Sequence, residues 1–422
     1  MSIDAAGLWL GRVLMAGFAA LVVAELIRYF RTALVEPVAA APAPERVPMK
    51  RVLAEALAAV VASRLLIVAA CAAYCAIQNR SLETFFQDFA GKLTPWDANH
   101  YLGLIERWYV AEGDPRLHIV FLPFYPAVCR GLHLLTGMSP FAAAEVVSHL
   151  ALLGCGAAMF RLVEGDSGAQ TARRAMLLTL FTPMAYFYSV PYTESLFLLL
   201  TLLAVLMARR WRFALAVAFG AMAANARIVG MAVAIPIFWE LLRRDREGRE
   251  EPLSPGRVAL DVLKVLPVGA GLALYLLGNY RLFGNPTQFM IFQREHWSQS
   301  FGTLANTFRY CLANALDYDD FLYRLGVWIP QALLLVAVPA LIAWRRRREP
   351  VGDVAYLLVF FYVSFAPTWL LSGPRYLSAA YALYPLLARI PKSRKGFIAL
   401  WAGECALLIY MSIVGLWHVK AY

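Results

Sequence analysis

Residues 52–77 read VLAEALAAVVASRLLIVAACAAYCAI, and apolar runs of this kind recur to the end of the chain. A membrane-spanning helix needs about 20 such residues. By the same criterion the further candidates are 7–28, 119–136, 141–162, 175–191, 193–208, 213–241, 258–280, 322–344, 354–372, 376–390 and 397–418. Within lipid every backbone polar group must be satisfied without water, which leaves helices or a closed barrel. None of these runs shows the in–out alternation of a barrel strand. Composition agrees: of 422 residues 61% are hydrophobic and 16% charged, against about 25% charged in soluble domains. The chain reads as an all-α, polytopic integral membrane protein with about 11–12 membrane segments.

The first apolar run stands apart. It opens MSIDAAG, with an acid at Asp4 and no basic lead, so it reads as an additional anchor over 1–33 and not as a cleaved signal. An Ala/Pro-rich linker follows at 34–50, and 51–422 forms the main membrane domain. Helix 7–28 is therefore expected at the periphery of the core.

A formal charge of +11 raises nucleic acid as a partner, but its distribution argues against that. Basic residues gather in the short gaps between apolar runs: Arg209, Arg210 and Arg212; Arg243, Arg244, Arg246 and Arg249; Arg345 to Arg348; Lys392, Arg394 and Lys395. That is the positive-inside pattern, and no nucleic-acid-binding module accompanies it. With these gaps cytoplasmic, 78–118 and 283–321 become outer loops carrying short helices. The run 213–241 has basic flanks at both ends and a polar break, Asn225-Ala226-Arg227, in the middle. Two half-helices meeting at the outer side explain this, since broken helices persist where they line a cavity. Counting 119–136, 141–162 and 175–191 all as full spans leaves Arg209 outside, so at least one of the three does not cross.

Cysteines are scattered through apolar runs without a CxxC pair or disulfide framework. Nothing has the spacing of zinc ligands, a Walker loop or a nucleophile elbow.

Chemistry concentrates in the outer loops. Asp97, in Thr94-Pro95-Trp96-Asp97, fits two readings. In one it caps a helix Trp96–Val110, with Thr94 as N-cap and Pro95 at the first position. In the other it is a general base for an acceptor hydroxyl. Asp88 is the rival base. His100 lies three residues after Asp97, on the same helix face as Asp97, where it orients the base, binds a phosphate or stands as a surface histidine; Tyr101 follows it. Tyr192 and Glu194, in Pro191-Tyr192-Thr193-Glu194-Ser195, suit a sugar hydroxyl or simple complementation of a helix dipole. Arg227, beside Asn225, is an intramembrane cation, expensive unless paired. A phosphate or Glu194 are the competing partners. Arg375 and Tyr376 interrupt two apolar runs at their outer junction, and Gln293, His296 and Trp297 lie on an amphipathic stretch, either an interfacial anchor or a lid.

Six segments occur in a telling order: TPWDANHY at 94–101, FLPFYPAVCR at 121–130, PYTESLFLLL at 191–200, NARIVG at 225–230, GNPTQFMIFQREHW at 284–297 and GPRYLSAAYALYP at 373–385. In that order they resemble the PIG-V type of mannosyltransferase and its prokaryotic relatives, over about residues 52–390. The resemblance implies a GT-C fold and a polyprenyl-phosphate sugar donor, usually mannose, used on the outer face. It implies Asp97 as the catalytic acid of the WD motif and no metal cofactor. It implies a multi-pass enzyme of the cell membrane with an extracytoplasmic site, and the composition suggests a bacterium. The partners implied are the donor lipid and a lipid or glycan acceptor, with no nucleic acid. In that scheme Arg227, Arg375 and His296 face the donor phosphate. A lipid-linked sugar flippase or a non-catalytic partner of another transferase are the alternatives, although no internal repeat of the transporter kind is present.

Overall fold

The computed structural model describes residues 3–34, 46–249 and 251–418. The expected Ala/Pro linker falls largely, at 35–45, outside the described residues. In chain order the first helices are α1 (Ile3–Leu34), α2 (Met49–Ile77), α3 (Leu82–Lys92), α4 (Ala98–Arg107), α5 (Phe124–Thr136), α6 (Pro140–Leu180) and α7 (Glu194–Arg209). There follow α8 (Phe213–Ala226), α9 (Ala234–Arg246), α10 (Pro255–Val265), α11 (Ala270–Phe283), α12 (Gln288–Trp297) and α13 (Leu304–Asp317). Longer helices follow at Ile329–Arg345, Val351–Phe365 and Arg394–Ile413, with short ones at Phe321–Tyr323, Gly373–Ser378 and Leu383–Ala388.

The protein is an all-α, polytopic membrane protein. Among the described residues six helices are long and apolar enough to cross a membrane: Asp4–Leu34, Met49–Ile77, Pro140–Leu180, Pro255–Phe283, Phe321–Arg348 and Arg394–Leu416. Other apolar runs are carried by shorter or broken helices. The run 376–390 is divided between Gly373–Ser378 and Leu383–Ala388, and Pro385 lacks the amide a continuous helix requires. α6 is itself interrupted at Gly168, where φ is 77°.

The chain divides into two compact units: Met1–Ala43 with Leu200–Leu383, and Pro44–Leu199 with Tyr384–Tyr422. In the second of these, α2 and α6 pair at their basic ends. The Val47 amide donates to Glu164 at 2.7 Å, Arg161 pairs with Glu164 at 2.5 Å, and Arg173 forks onto Glu55 at 2.7 and 3.1 Å. α5 docks on the opposite end of α6, where the Tyr125 hydroxyl lies 3.0 Å from Ser148. With 13 residues α5 is too short to cross, at about 1.5 Å per residue, and it meets the preceding 3-10 turn Asp114–Val120 at 119°. The run 119–136 is therefore carried by a bent pair of helices and not by one continuous spanning helix.

The other unit contains α1. Most of its apolar surface is open, while one face packs on this unit. A Cβ at Gly11 would lie 2.9 Å from Ala305 Cα, so α1 meets α13 backbone to backbone, the close approach small residues permit between membrane helices. Tyr29 donates to the Ile235 carbonyl at 3.0 Å and packs in a buried cluster with Trp239, Leu242 and Val351. Glu25, 1% exposed, pairs with Arg28 at 3.1 Å and Arg346 at 3.4 Å. Hydrophobicity alone does not reveal such helix contacts.

α8 and α9 form the broken helix expected at 213–241. After Ala226 the chain turns extended at Arg227 (φ −154°, ψ 139°), passes through a 3-10 turn at Ile228–Val233 and returns as α9. Gly230 sits so close to Ala223 that a Cβ would fall inside its backbone. The ends of the hairpin are level: Arg244 lies over the Phe213 ring at 5.6 Å. Beside them is a buried ion-pair network, with Arg209 on Asp353 at 2.6 Å, Tyr381 donating to Asp353 at 2.8 Å, and Arg243 on Glu240 at 3.2 Å.

Candidate functional site

Asp97 sits on a strained turn. Trp96 adopts a left-handed conformation with φ 49°, which for a bulky side chain costs about 1–3 kcal/mol and marks a place held by its surroundings. The Tyr192 hydroxyl holds it. This hydroxyl accepts from the Asp97 amide at 2.9 Å and donates to the Pro95 carbonyl at 2.9 Å. Tyr192 is 1% exposed, and the Trp96 ring packs 5.4 Å from Phe187 in the buried 3-10 turn Ala185–Ser189. The segment 185–193 is thus the anchor on which the Asp97 turn rests.

The capping account of Asp97 does not survive. The helix begins at Ala98 and not Trp96, and ends at Arg107, because the left-handed tryptophan cannot continue it. Thr94 caps nothing there: its hydroxyl donates back to the Gly91 carbonyl at 2.9 Å. Asp97 stands at the N-cap position with φ −68° and ψ −6°, and its side chain makes no capping bond.

The neighbouring candidates separate by burial. His100 is half-buried, stacked on Phe121 at 5.2 Å and edge-on to His118 at 5.2 Å. Burial lowers its pKa below the ordinary histidine value, with the nearby Asp97 charge opposing the shift. A neutral imidazole suits orientation of the carboxylate better than capture of a phosphate. Tyr101 is buried against Phe121, Tyr125 and Tyr192, which makes it a packing residue of α4. Asp88 is tied in an exposed pair with Arg80 at 3.2 Å. Glu194 opens α7 and is 1% exposed.

The remaining candidates lie in the unit that contains α8–α13. Arg227, at the hairpin tip, and Arg375, on the short helix Gly373–Ser378, both lie against Tyr376, at 5.0 and 4.9 Å from the ring centroid. The two guanidinium carbons are thus no further apart than those distances together allow. Arg375 is 6% exposed and Arg227 half-buried. Asn225 donates to the Gly271 carbonyl at 2.7 Å and is 7% exposed, so it braces the tip from within. Gln293, His296 and Trp297 lie on α12, with His296 exposed and its ring 6.3 Å from Trp297. Beyond Trp297 the chain joins 366–368: the Gly302 amide donates to Ala366 at 2.9 Å and the Thr368 amide to Ser300 at 2.9 Å. α12 is thereby tethered to the loop that leads into Arg375.

Gln331 escaped the sequence reading. Fully buried, it donates to the Leu370 carbonyl at 3.0 Å and accepts from the Gly373 amide at 3.0 Å, fixing the loop that presents Arg375 and Tyr376. A lone amide inside the apolar run 322–344 was its signal. Chemically, the chain offers a poised carboxylate in one unit and a close pair of guanidiniums in the other. No protein-family model matches the chain, and no curated protein matches it.

Proposed function

We propose that the protein is a membrane glycosyltransferase, an inverting mannosyltransferase that moves mannose from a polyprenyl-phosphate donor to a lipid-linked or glycolipid acceptor. The arginine pair on Tyr376 carries this reading. Their guanidinium carbons lie at most about 10 Å apart, so two unit charges there repel by at least roughly 1.7 kcal/mol at an effective dielectric of 20, and an anion beside them offsets that. The pair lies at the hairpin tip, away from Arg243, Arg244 and Arg246 at the end of α9. Under the positive-inside rule that basic end is cytoplasmic, so the arginines face the outer side, where a lipid phosphate is available. The protein then resides in the bacterial cell membrane with its chemistry on the extracytoplasmic face.

The reaction follows from these groups. Asp97 accepts the proton of the acceptor hydroxyl as that oxygen attacks the anomeric carbon. The bond from this carbon to the phosphate oxygen breaks, polyprenyl phosphate leaves, and a β-linked donor gives an α product. Arg227 and Arg375 stabilise the departing phosphate, an electrostatic role whose loss typically costs about 10²–10³ in rate. Tyr192 positions the turn, and His100 stands beside the base as a neutral ring.

The test is incubation of the purified full chain with radiolabelled polyprenyl-phosphate-mannose and a membrane lipid extract. Label in a new lipid, chromatographically distinct from the donor, supports the proposal and gives the acceptor. Movement of intact donor across proteoliposomes without any product points instead to a flippase.

A further inference from the structure

A charged cavity in the unit built on α2 and α6 has no role in the transfer scheme. About 110 Å³ in volume, it is lined by Arg64 from α2, Glu145 and His149 from α6, and Ser189, with Val68 and Leu93 among its apolar walls. Arg64 lies inside a candidate span, where a guanidinium is costly unless compensated. Its Nη1 donates to the Ala185 carbonyl at 2.9 Å and to the Ser189 hydroxyl. Its Nε and Nη2 are buried without a hydrogen-bond partner among the described residues, and so is Glu145 Oε1. Oε2 of that carboxylate lies 3.6 Å from His149 Nδ1, which bonds the Glu145 backbone carbonyl at 2.8 Å.

Nε–H and Nη2–H form the edge of a guanidinium that grips two oxygens of one phosphate or carboxylate, as Arg173 does on Glu55 elsewhere in this unit. Here the same guanidinium borders a cavity that Glu145 also lines, and no ion pair joins the two among the described residues. A water needs about 10–15 Å³ of such volume, so there is room for a tetrahedral oxyanion. Glu145 repels a bare dianion but accepts a hydrogen bond from a hydroxyl carried next to the phosphate.

We propose that this cavity binds a hydroxyl-bearing phosphodiester headgroup, with two phosphate oxygens on the Arg64 fork and a neighbouring hydroxyl on Glu145. Leu93, a lining residue, precedes the Asp97 turn, and Ser189 precedes Tyr192. The site therefore lies in the same unit as the proposed base and gives an acceptor phosphate a seat there, but it stands whether or not sugar is transferred.

Binding is measured on the full chain in a phosphate-free maltoside detergent, without donor, by thermal shift and tryptophan fluorescence. The probes are dioctanoyl phosphatidylglycerol, dioctanoyl phosphatidylcholine and soluble glycerol phosphate. Phosphatidylglycerol is expected to bind saturably and at least about tenfold more tightly than the choline lipid, which lacks the hydroxyl. Arg64→Lys keeps the charge but removes the fork, and is expected to weaken binding by about tenfold or more. Val68→Trp fills the cavity without touching its polar groups and is expected to do the same, which covers the case in which Arg64→Lys does not fold. Glycerol phosphate binding as well as the lipid supports the site and assigns it to soluble phosphates; lipid binding alone assigns it to the membrane. Phosphatidylglycerol affinity unchanged in Val68→Trp or in folded Arg64→Lys overturns the proposal and leaves Arg64 as a structural cation.

Discussion

Tyr192→Phe removes one oxygen and, with it, both bonds that hold the Asp97 turn. The hydroxyl satisfies the Asp97 amide and the Pro95 carbonyl, each at 2.9 Å, from a side chain that is 1% exposed. Leaving such groups unsatisfied costs about 1–3 kcal/mol each. Water reaches this half-buried turn in part, so the net loss is set at about 1–3 kcal/mol. The turn also stores about 1–3 kcal/mol in the left-handed Trp96, which the clamp opposes. Local opening should therefore become easier by about 5- to 150-fold. Hydrogen exchange with mass spectrometry reads this directly on the peptide carrying residues 96–101, with peptides from α6 as internal control. Because a displacement near 1 Å costs about 10²-fold in a positioned reaction, transfer should fall by about 10- to 100-fold, mainly in kcat. Unchanged exchange at the Asp97 amide in a folded Tyr192→Phe protein would refute the clamp.

Three further outcomes are expected. Asp353→Asn removes the carboxylate 2.6 Å from the half-buried Arg209, which keeps Glu240 at 4.0 Å, and should lower stability by about 1–3 kcal/mol; an unaltered Tm in detergent argues against the network. His100 has its pKa depressed by burial, so as pH falls through the ordinary histidine range near about 6.5 the unfolded chain takes up a proton that the native state resists. Stability then drops on acidification, and His100→Gln should flatten the Tm–pH profile below neutrality; a profile as steep as wild type contradicts this. Arg375→Lys keeps a charge but loses the planar fork over Tyr376, and should lower transfer by about 10²-fold with little effect on Tm, so wild-type activity in that variant removes Arg375 from the phosphate site.

Much of this architecture is legible in the amino-acid order, for definite reasons. Apolar length announces spans, and Asn225-Ala226-Arg227 announces a break because no partner-free cation belongs in the middle of one. The hairpin of α8 and α9 follows that break. Other features depend on contacts that hydropathy does not encode. Gly11 looks like any glycine of an apolar run until Ala305 is found against it. Thr94-Pro95-Trp96-Asp97 has the chemistry of a helix start, yet the left-handed Trp96 moves the start to Ala98. Tyr192 suggested a sugar ligand, whereas its hydroxyl is spent on the backbone of the Asp97 turn. Arg64 is a charge in the middle of 52–77, the same kind of signal as Arg227, but masked by the length of the apolar run around it.

The most direct measurement is the initial rate of mannose transfer by Asp97→Asn beside wild type, each purified and shown to have the same Tm. The account predicts labelled product from wild type and a rate at least about 10²-fold lower from the variant, since the amide is not a base at neutral pH. Equal rates from the two proteins would contradict it.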